Sequence, residues 1–253
     1  MTASDIPLPA GYRLSAHESV DSTNSEALRR ADEGEEPGLW VWALSQTAGR
    51  GRLGRRWDSL AGNLFATLLL RPDCQPMRTA QLSLVAGLAL HDAVTCLSGS
   101  DIAQHLALKW PNDLLYDGMK LGGILLESNI GNDGVPAVAM GIGLNLTAHP
   151  DTTDTPATDL LQHGISATQA RALECLSGAC EKWLGIWSNG EGFAHIRESW
   201  MARSLPINTP LQIKLVDSRL QGAYGGLTED GALILVLNDG SEKQITTGDV
   251  FPL

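Results

Sequence analysis

Cationic side chains are scarce in this chain of 253 residues: Lys and Arg together number 18 against 29 Asp and Glu, a formal net charge of −11. A chain so acidic repels both nucleic acid and anionic membrane surfaces, so neither is expected as a partner. Long apolar runs are missing too. Stretches such as 232–237 fall far short of the roughly 20 residues that a membrane span needs. The chain does not open on a basic patch followed by an apolar run, so no secretory leader is expected. Cysteine is sparse, with Cys74, Cys96, Cys175 and Cys180 in no C-x-x-C pair. Cys175 and Cys180 fall where a helical pattern wants small apolar residues. The expectation is four reduced thiols in a cytoplasmic protein. Disordered tails and disulfide scaffolds are excluded, because 43% hydrophobic residues with 19% charged ones suffice for a packed core.

At about 150 residues per domain, the length allows one large domain or a large one with a small one. Thr23-x-x-Glu26 is a capping-box pattern that opens a helix, with Gly34 as its stop. Short apolar runs at 40–43, 64–70, 106–110 and 137–146 read as strands. A helix over 80–97 has Leu82, Val85, Ala89 and Ala93 on one stripe. Asp117-Gly118 between two apolar runs predicts a hairpin, since both residues tolerate positive φ. Helical spacing returns at 167–187 and 193–203. Beyond Pro210 the chain alternates strand and turn: LQIKLV, RLQGAYGGL, ALILVL, EKQITT. The reading is an α+β fold with a boundary near residue 205, residues 1–204 forming the main domain and 205–253 a small SH3-like β-barrel.

The segment Gly49 to Gly54, GRGRLG, spells a dinucleotide-binding fingerprint, but such a fingerprint must open a helix. Here Arg55, Arg56 and Trp57 come next, and another strand begins at Leu64, so no helix fits. No H-R-D or D-F-G occurs downstream either, which removes the kinase reading. Alternating glycine and arginine instead make a pliable backbone carrying guanidinium forks, suited to an acidic small ligand.

Only five lysines occur, and Lys109 and Lys120 bracket the turn Trp110-Pro111-Asn112-Asp113. They can be ordinary surface residues, or point charges for phosphate with Asp113 as a Mg²⁺ ligand. Gly122-Gly123 implies close approach of a backbone or ligand. Ser22, Thr23 and Asn24 at the first helix can cap it or anchor an uncharged polar group, with Gln46 adding a donor and an acceptor. Gly141-Ile142-Gly143-Leu144-Asn145 can be a strand packed on a helix, or can end in a nucleotide contact from Asn145.

In this order, STN (22–24), Q-T-AGRGRLGRRW (46–57), KWPNDLLYDGMKLGGILLE (109–127) and GIGLN (141–145) resemble the biotin–protein ligases. The resemblance implies a mixed-sheet catalytic domain of the biotin/lipoate ligase type. It also implies ATP-dependent biotinylation of a carrier lysine through biotinyl-5′-AMP, with ATP and biotin as substrates and Mg²⁺ required. The implied acceptor is a biotin carboxyl carrier protein of acetyl-CoA carboxylase, and the enzyme a monomer or homodimer. By motif, Ser22, Thr23, Asn24, Gln46, Arg50, Gly51, Arg52 and Lys120 would bind biotin. Arg50, Arg52, Trp57, Lys109, Asn112, Lys120 and Asn145 would hold ATP or the adenylate, with Lys120, Arg52 and Lys109 catalytic. Only 21 residues precede Ser22, which corresponds to the family's form without a DNA-binding domain. The alternatives are a lipoate or octanoate ligase or transferase, and a non-catalytic regulator that binds biotinyl-AMP.

Overall fold

In the computed structural model, which describes residues 6–132, 134–151, 156–215 and 217–253, the apolar runs pair into two sheets. In chain order the elements are β1 (Arg13–Val20), α1 (Thr23–Asp32), β2 (Leu39–Gln46), β3 (Leu64–Leu70), α2 (Leu82–Ser98), β4 (Leu106–Lys109), β5 (Asp113–Tyr116), β6 (Met119–Ile130) and β7 (Pro136–Leu144). They continue with α3 (Gln169–Trp187), α4 (Phe193–Met201), β8 (Pro210–Lys214), β9 (Arg219–Leu227), β10 (Leu233–Val236), β11 (Glu242–Ile245) and β12 (Asp249–Pro252). The first sheet has the order β1-β2-β3-β7-β6-β5-β4, with β1 parallel to β2 and every other pair antiparallel. The second, β11-β10-β9-β8-β12, is antiparallel throughout. The fold is α+β.

Period-2 alternation explains why β2 and β3 are apolar without interruption. Leu39, Val41 and Leu69 pack with Ala27 and Ala31 of α1 on one face. Trp40 and Leu68 point into the larger core on the other face, where Trp40 Nε1 donates to Ser177 Oγ of α3 at 2.9 Å. Both faces are covered, so both need apolar side chains. The β5–β6 hairpin turns as expected, with Asp117 at φ 46° and Gly118 at φ 79°.

Four expectations need correction. The helix α2 is not amphipathic with one stripe: eleven of its seventeen residues are buried, because the sheet and α3 enclose it. By length and composition Pro76–Ser98 is apolar enough to cross a membrane, but its apolar surface is spent on the core. The capping box does not form. Ser22 is the N-cap and makes no side-chain cap bond, while Glu26 pairs with Arg29 and Arg30. The cysteines are not all reduced, since Cys96 of α2 and Cys175 of α3 form a disulfide across Cα atoms 6.1 Å apart; Cys74 and Cys180 are free thiols. Finally, strands β1 and β12 arise where no strand was anticipated. Val216, the last residue of the expected LQIKLV strand, lies outside the described residues.

Truncating the fully buried Leu88 to alanine removes apolar contacts that α2 makes in the core, and is expected to cost about 2–5 kcal/mol. Thr168, whose side chain accepts from the Arg171 N–H at the start of α3, should cost only about 1 kcal/mol as Thr168→Ala. Urea unfolding of the two variants checks both values.

Candidate active site

The face of the sheet that carries α1 is only partly covered by that helix. Beyond its N-terminus, β6 and β7 present Gly123, Gly141 and Gly143 on this face, and the missing side chains leave a cavity of about 450 Å³. Two of these glycines are fixed by neighbours: a Cβ at Gly141 would collide with Asn24, and one at Gly143 with the Trp57 ring. Ser22, Thr23, Asn24, Gln46, Arg50, Gly51, Arg52, Trp57, Lys109, Asn112, Lys120 and Asn145 all line this cavity, with Asp113. The four sequence segments thus meet in one place. Around it, Arg50, Arg52, Arg55, Arg56, Lys109 and Lys120 outnumber three carboxylates two to one, in a chain that is acidic as a whole.

One end is uncharged and hydrogen-bonded. The Thr23 N–H donates to Gln46 Oε1 at 2.8 Å, which leaves Gln46 Nε2 to face Ser59 Oγ at 3.3 Å. Asn24 Nδ2 donates to the Leu125 carbonyl at 3.1 Å and to Glu127 at 2.9 Å, and Thr67 lies behind both Thr23 and Asn24. Arg50 closes this end through Glu127 (2.9 Å) and Ser25 (2.9 Å). Thr67 and Glu127 were not anticipated. The signal for Thr67 was present, as the one polar side chain in the strand LFATLLL.

The other end is cationic. Asp113, at the first position of β5, sits between Lys109 Nζ at 2.9 Å and Lys120 Nζ at 2.6 Å. Burial alone would push its carboxyl up, but the two ammonium groups outweigh burial and hold it down at about 2. Both oxygens of Asp113, expected from the sequence as a Mg²⁺ ligand, are met by ammonium groups. Among the described residues no three His, Cys, Asp or Glu side chains gather as a metal would require. Asn112 and Asn145 spend their amides on the backbone, donating to the Ile124 carbonyl (2.7 Å) and the Thr158 carbonyl (3.0 Å).

The arginine loop folds back as a narrow hairpin, with the Gly51 N–H donating to the Arg55 carbonyl at 2.7 Å and the Trp57 N–H to the Gly49 carbonyl at 3.0 Å. It carries a single helical turn and no crossover helix, as the sequence required. The second sheet grips it. Arg52 donates to the Gly248 carbonyl at 3.2 Å, Arg55 pairs with Asp249 at 2.7 Å, and Lys109 donates to the Val250 carbonyl at 3.1 Å. Burial pulls the Arg52 guanidinium below its ordinary value. Trp57 packs over Gly123 and Gly143, with Lys120 Nζ 5.4 Å from its ring centroid.

Removing the carboxylate leaves two ammonium groups close together with no counter-charge, so Asp113→Ala is expected to destabilise the fold by about 3–5 kcal/mol. Because the folded carboxyl lies below its ordinary 3.8, its stabilising contribution is complete above that value and disappears as pH falls from 3.8 through about 2. Unfolding midpoints measured over that window should fall steeply for the native protein and more shallowly for Asp113→Asn.

Residues 16–145 match the family described as biotin/lipoate A/B protein ligase, and 216–251 match the biotin protein ligase C-terminal domain. The chain is 42% identical to a biotin–[acetyl-CoA-carboxylase] ligase of Paracoccus denitrificans, covering 85% of this chain and 91% of that protein. It is 34% identical to a ligase of the same name from Mycobacterium tuberculosis, over 96% and 91%. Among solved structures it resembles the biotin protein ligase from Aquifex aeolicus in complex with biotin and ATP. The TM-score is 0.78 and the identity 27%, over 94% of this chain and 97% of that one. With both family models matched and the relatives spanned almost end to end, this chain belongs to the biotin/lipoate A/B protein ligase family.

Proposed function

We infer that this protein is an ATP-dependent biotin–protein ligase that modifies a lysine of a biotin carboxyl carrier domain through biotinyl-5′-AMP. The observation that carries the reading is the polarity of the cavity. A neutral donor–acceptor end suits a ureido ring, and a cluster of fixed cations stands at the other end. An anionic carboxylate must attack an anionic α-phosphate, and fixed cations offset that repulsion where charge accumulates. Lys120, at the mouth of the ion pair with Asp113, neutralises charge between carboxylate and α-phosphate. Arg52 and Arg50 cover the same region from the loop, and Lys109 supports it from below. Trp57, Asn112 and Asn145 border the nucleotide, and Ser22, Thr23, Asn24 and Gln46 border the biotin ring.

The carboxylate oxygen bonds to the α-phosphorus and pyrophosphate leaves. The acceptor lysine's amine then attacks the acyl carbon and AMP leaves, a far better leaving group than the oxide of a free acid. Magnesium accompanies the triphosphate in reactions of this class, and no step here rests on a protein ligand for it. Residues up to 204 form the catalytic unit, and 205–253 form a module that completes its cavity through β12.

Incubation with ATP and biotin should release pyrophosphate and transfer biotin to a carrier domain. Release with lipoate alone would reverse the substrate, and adenylate retained without transfer would make the protein a binder. Arg52→Ala and Lys120→Ala should each slow adenylate formation by at least about 10²-fold, read from pyrophosphate release.

A further inference from the structure

Lys120 reaches the cavity because β6 carries one residue more than its partner strand can match. Leu114 pairs with Gly122 and Leu115 with Lys120, so Leu121 has no partner of its own on β5. Counting in twos from Gly123, which faces the cavity, would put residue 121 there as well. The bulge instead sends Leu121 into the core, fully buried, and brings Lys120 to the cavity. On the other side of β6, β7 ends at Leu144 opposite Gly122, short of Lys120. A strap at 156–158 stands in for it. The Lys120 N–H donates to the Pro156 carbonyl at 2.7 Å, and the Thr158 N–H donates to the Lys120 carbonyl at 3.0 Å.

Thr158 is where the strap is fastened. It is fully buried behind the wall, whereas its neighbour Ala157 lines the cavity. Its carbonyl accepts from the Asn145 amide at 3.0 Å, so one residue holds two of the segments that border the cavity. Its hydroxyl anchors the strap: Oγ1 donates to Gln162 Oε1 at 3.1 Å and lies 2.8 Å from His163 Nε2. The His163 ring in turn stacks on Tyr116, the last residue of β5, with centroids 3.7 Å apart. Asp113 holds the ammonium end of Lys120, and the strap holds its root. We propose that Thr158 is a positioning residue for adenylate formation, which through the strap holds the bulge that aims Lys120 and fixes its spacing from Asn145. Misplacing a reacting group by about 1 Å can slow a reaction about 10²-fold, so a hydroxyl that touches no ligand can still act on the rate. The inference rests on the reading that Lys120 and Asn145 serve the adenylate.

The test uses the full chain in three variants. Thr158→Val keeps the shape and removes the hydroxyl, Thr158→Ser keeps the hydroxyl, and His163→Phe keeps a ring for Tyr116 and removes the nitrogen. Biotin titration counts competent sites, and single-turnover pyrophosphate release gives the adenylation rate constant per site. Thr158→Val should retain its full complement of sites yet fall about tenfold in that rate constant, with the ATP concentration for half-maximal rate raised several-fold. His163→Phe, at a partly exposed position, should move both quantities in the same direction by a smaller factor, and carries the test if Thr158→Val does not fold. Thr158→Ser should stay within about twofold of the native protein. Fewer sites with an unchanged rate per site would make Thr158 a structural residue only and overturn the proposal. So would native rates in Thr158→Val and His163→Phe, or the same fall in Thr158→Ser as in Thr158→Val. If the native protein releases no pyrophosphate with biotin, it is the functional reading that fails instead.

Discussion

Two ammonium groups do not stay within reach of one another inside a protein unless something negative lies between them, and here that is Asp113. Lys109 is 5% exposed and Asp113 9%, so their attraction acts where water screens little. Lys120 is the more open of the two lysines, and reaches the cavity from the same carboxylate. One acidic residue thus holds two cations close together and oriented. The arrangement follows from the hairpin. Lys109 ends β4, Asp113 begins β5 and Lys120 lies one turn later on β6, so a tight backbone reversal brings three residues of short sequence separation to one point.

The neutral end is built on the opposite logic. Its lining groups are amides and hydroxyls bonded to one another, with the Glu127 carboxylate behind them. Glu127 accepts from Asn24 and also holds Arg50, so one carboxylate ties the arginine loop to α1 at this end. Glycines on β6 and β7 make the arrangement fit: Gly141 admits the Asn24 amide, and Gly123 and Gly143 admit the indole of Trp57.

Much of this was legible in the sequence because it is local. The strands at 64–70 and 106–109, the Asp-Gly hairpin and the long helices follow from spacing and turn chemistry. The loop GRGRLG was rightly denied a helix by the Arg55-Arg56-Trp57 run and by the strand that begins at Leu64. What was not legible depends on partners distant in the chain. β1 is an exposed, mostly polar edge that pairs with β2, and β12 is four residues that become a strand by meeting β8. Thr23 and Glu26 spell a capping box, yet Gln46 and two arginines claim their polar groups first. Cys96 and Cys175 meet across 79 residues of chain, a proximity no local pattern encodes. The sequence displays the Asp113 carboxylate and conceals that both neighbouring lysines turn towards it.

The grip of the second sheet on the arginine loop has a thermodynamic corollary. Gly248 and the β12 residues Asp249 and Val250 hold Arg52, Arg55 and Lys109, and Asp249 and Val250 also line the cavity. An occupant that reaches from the first sheet to these residues therefore acts as a stitch across the seam. Cohesion between the two modules and affinity for the occupant become reciprocal quantities: each strengthens the other by the same factor.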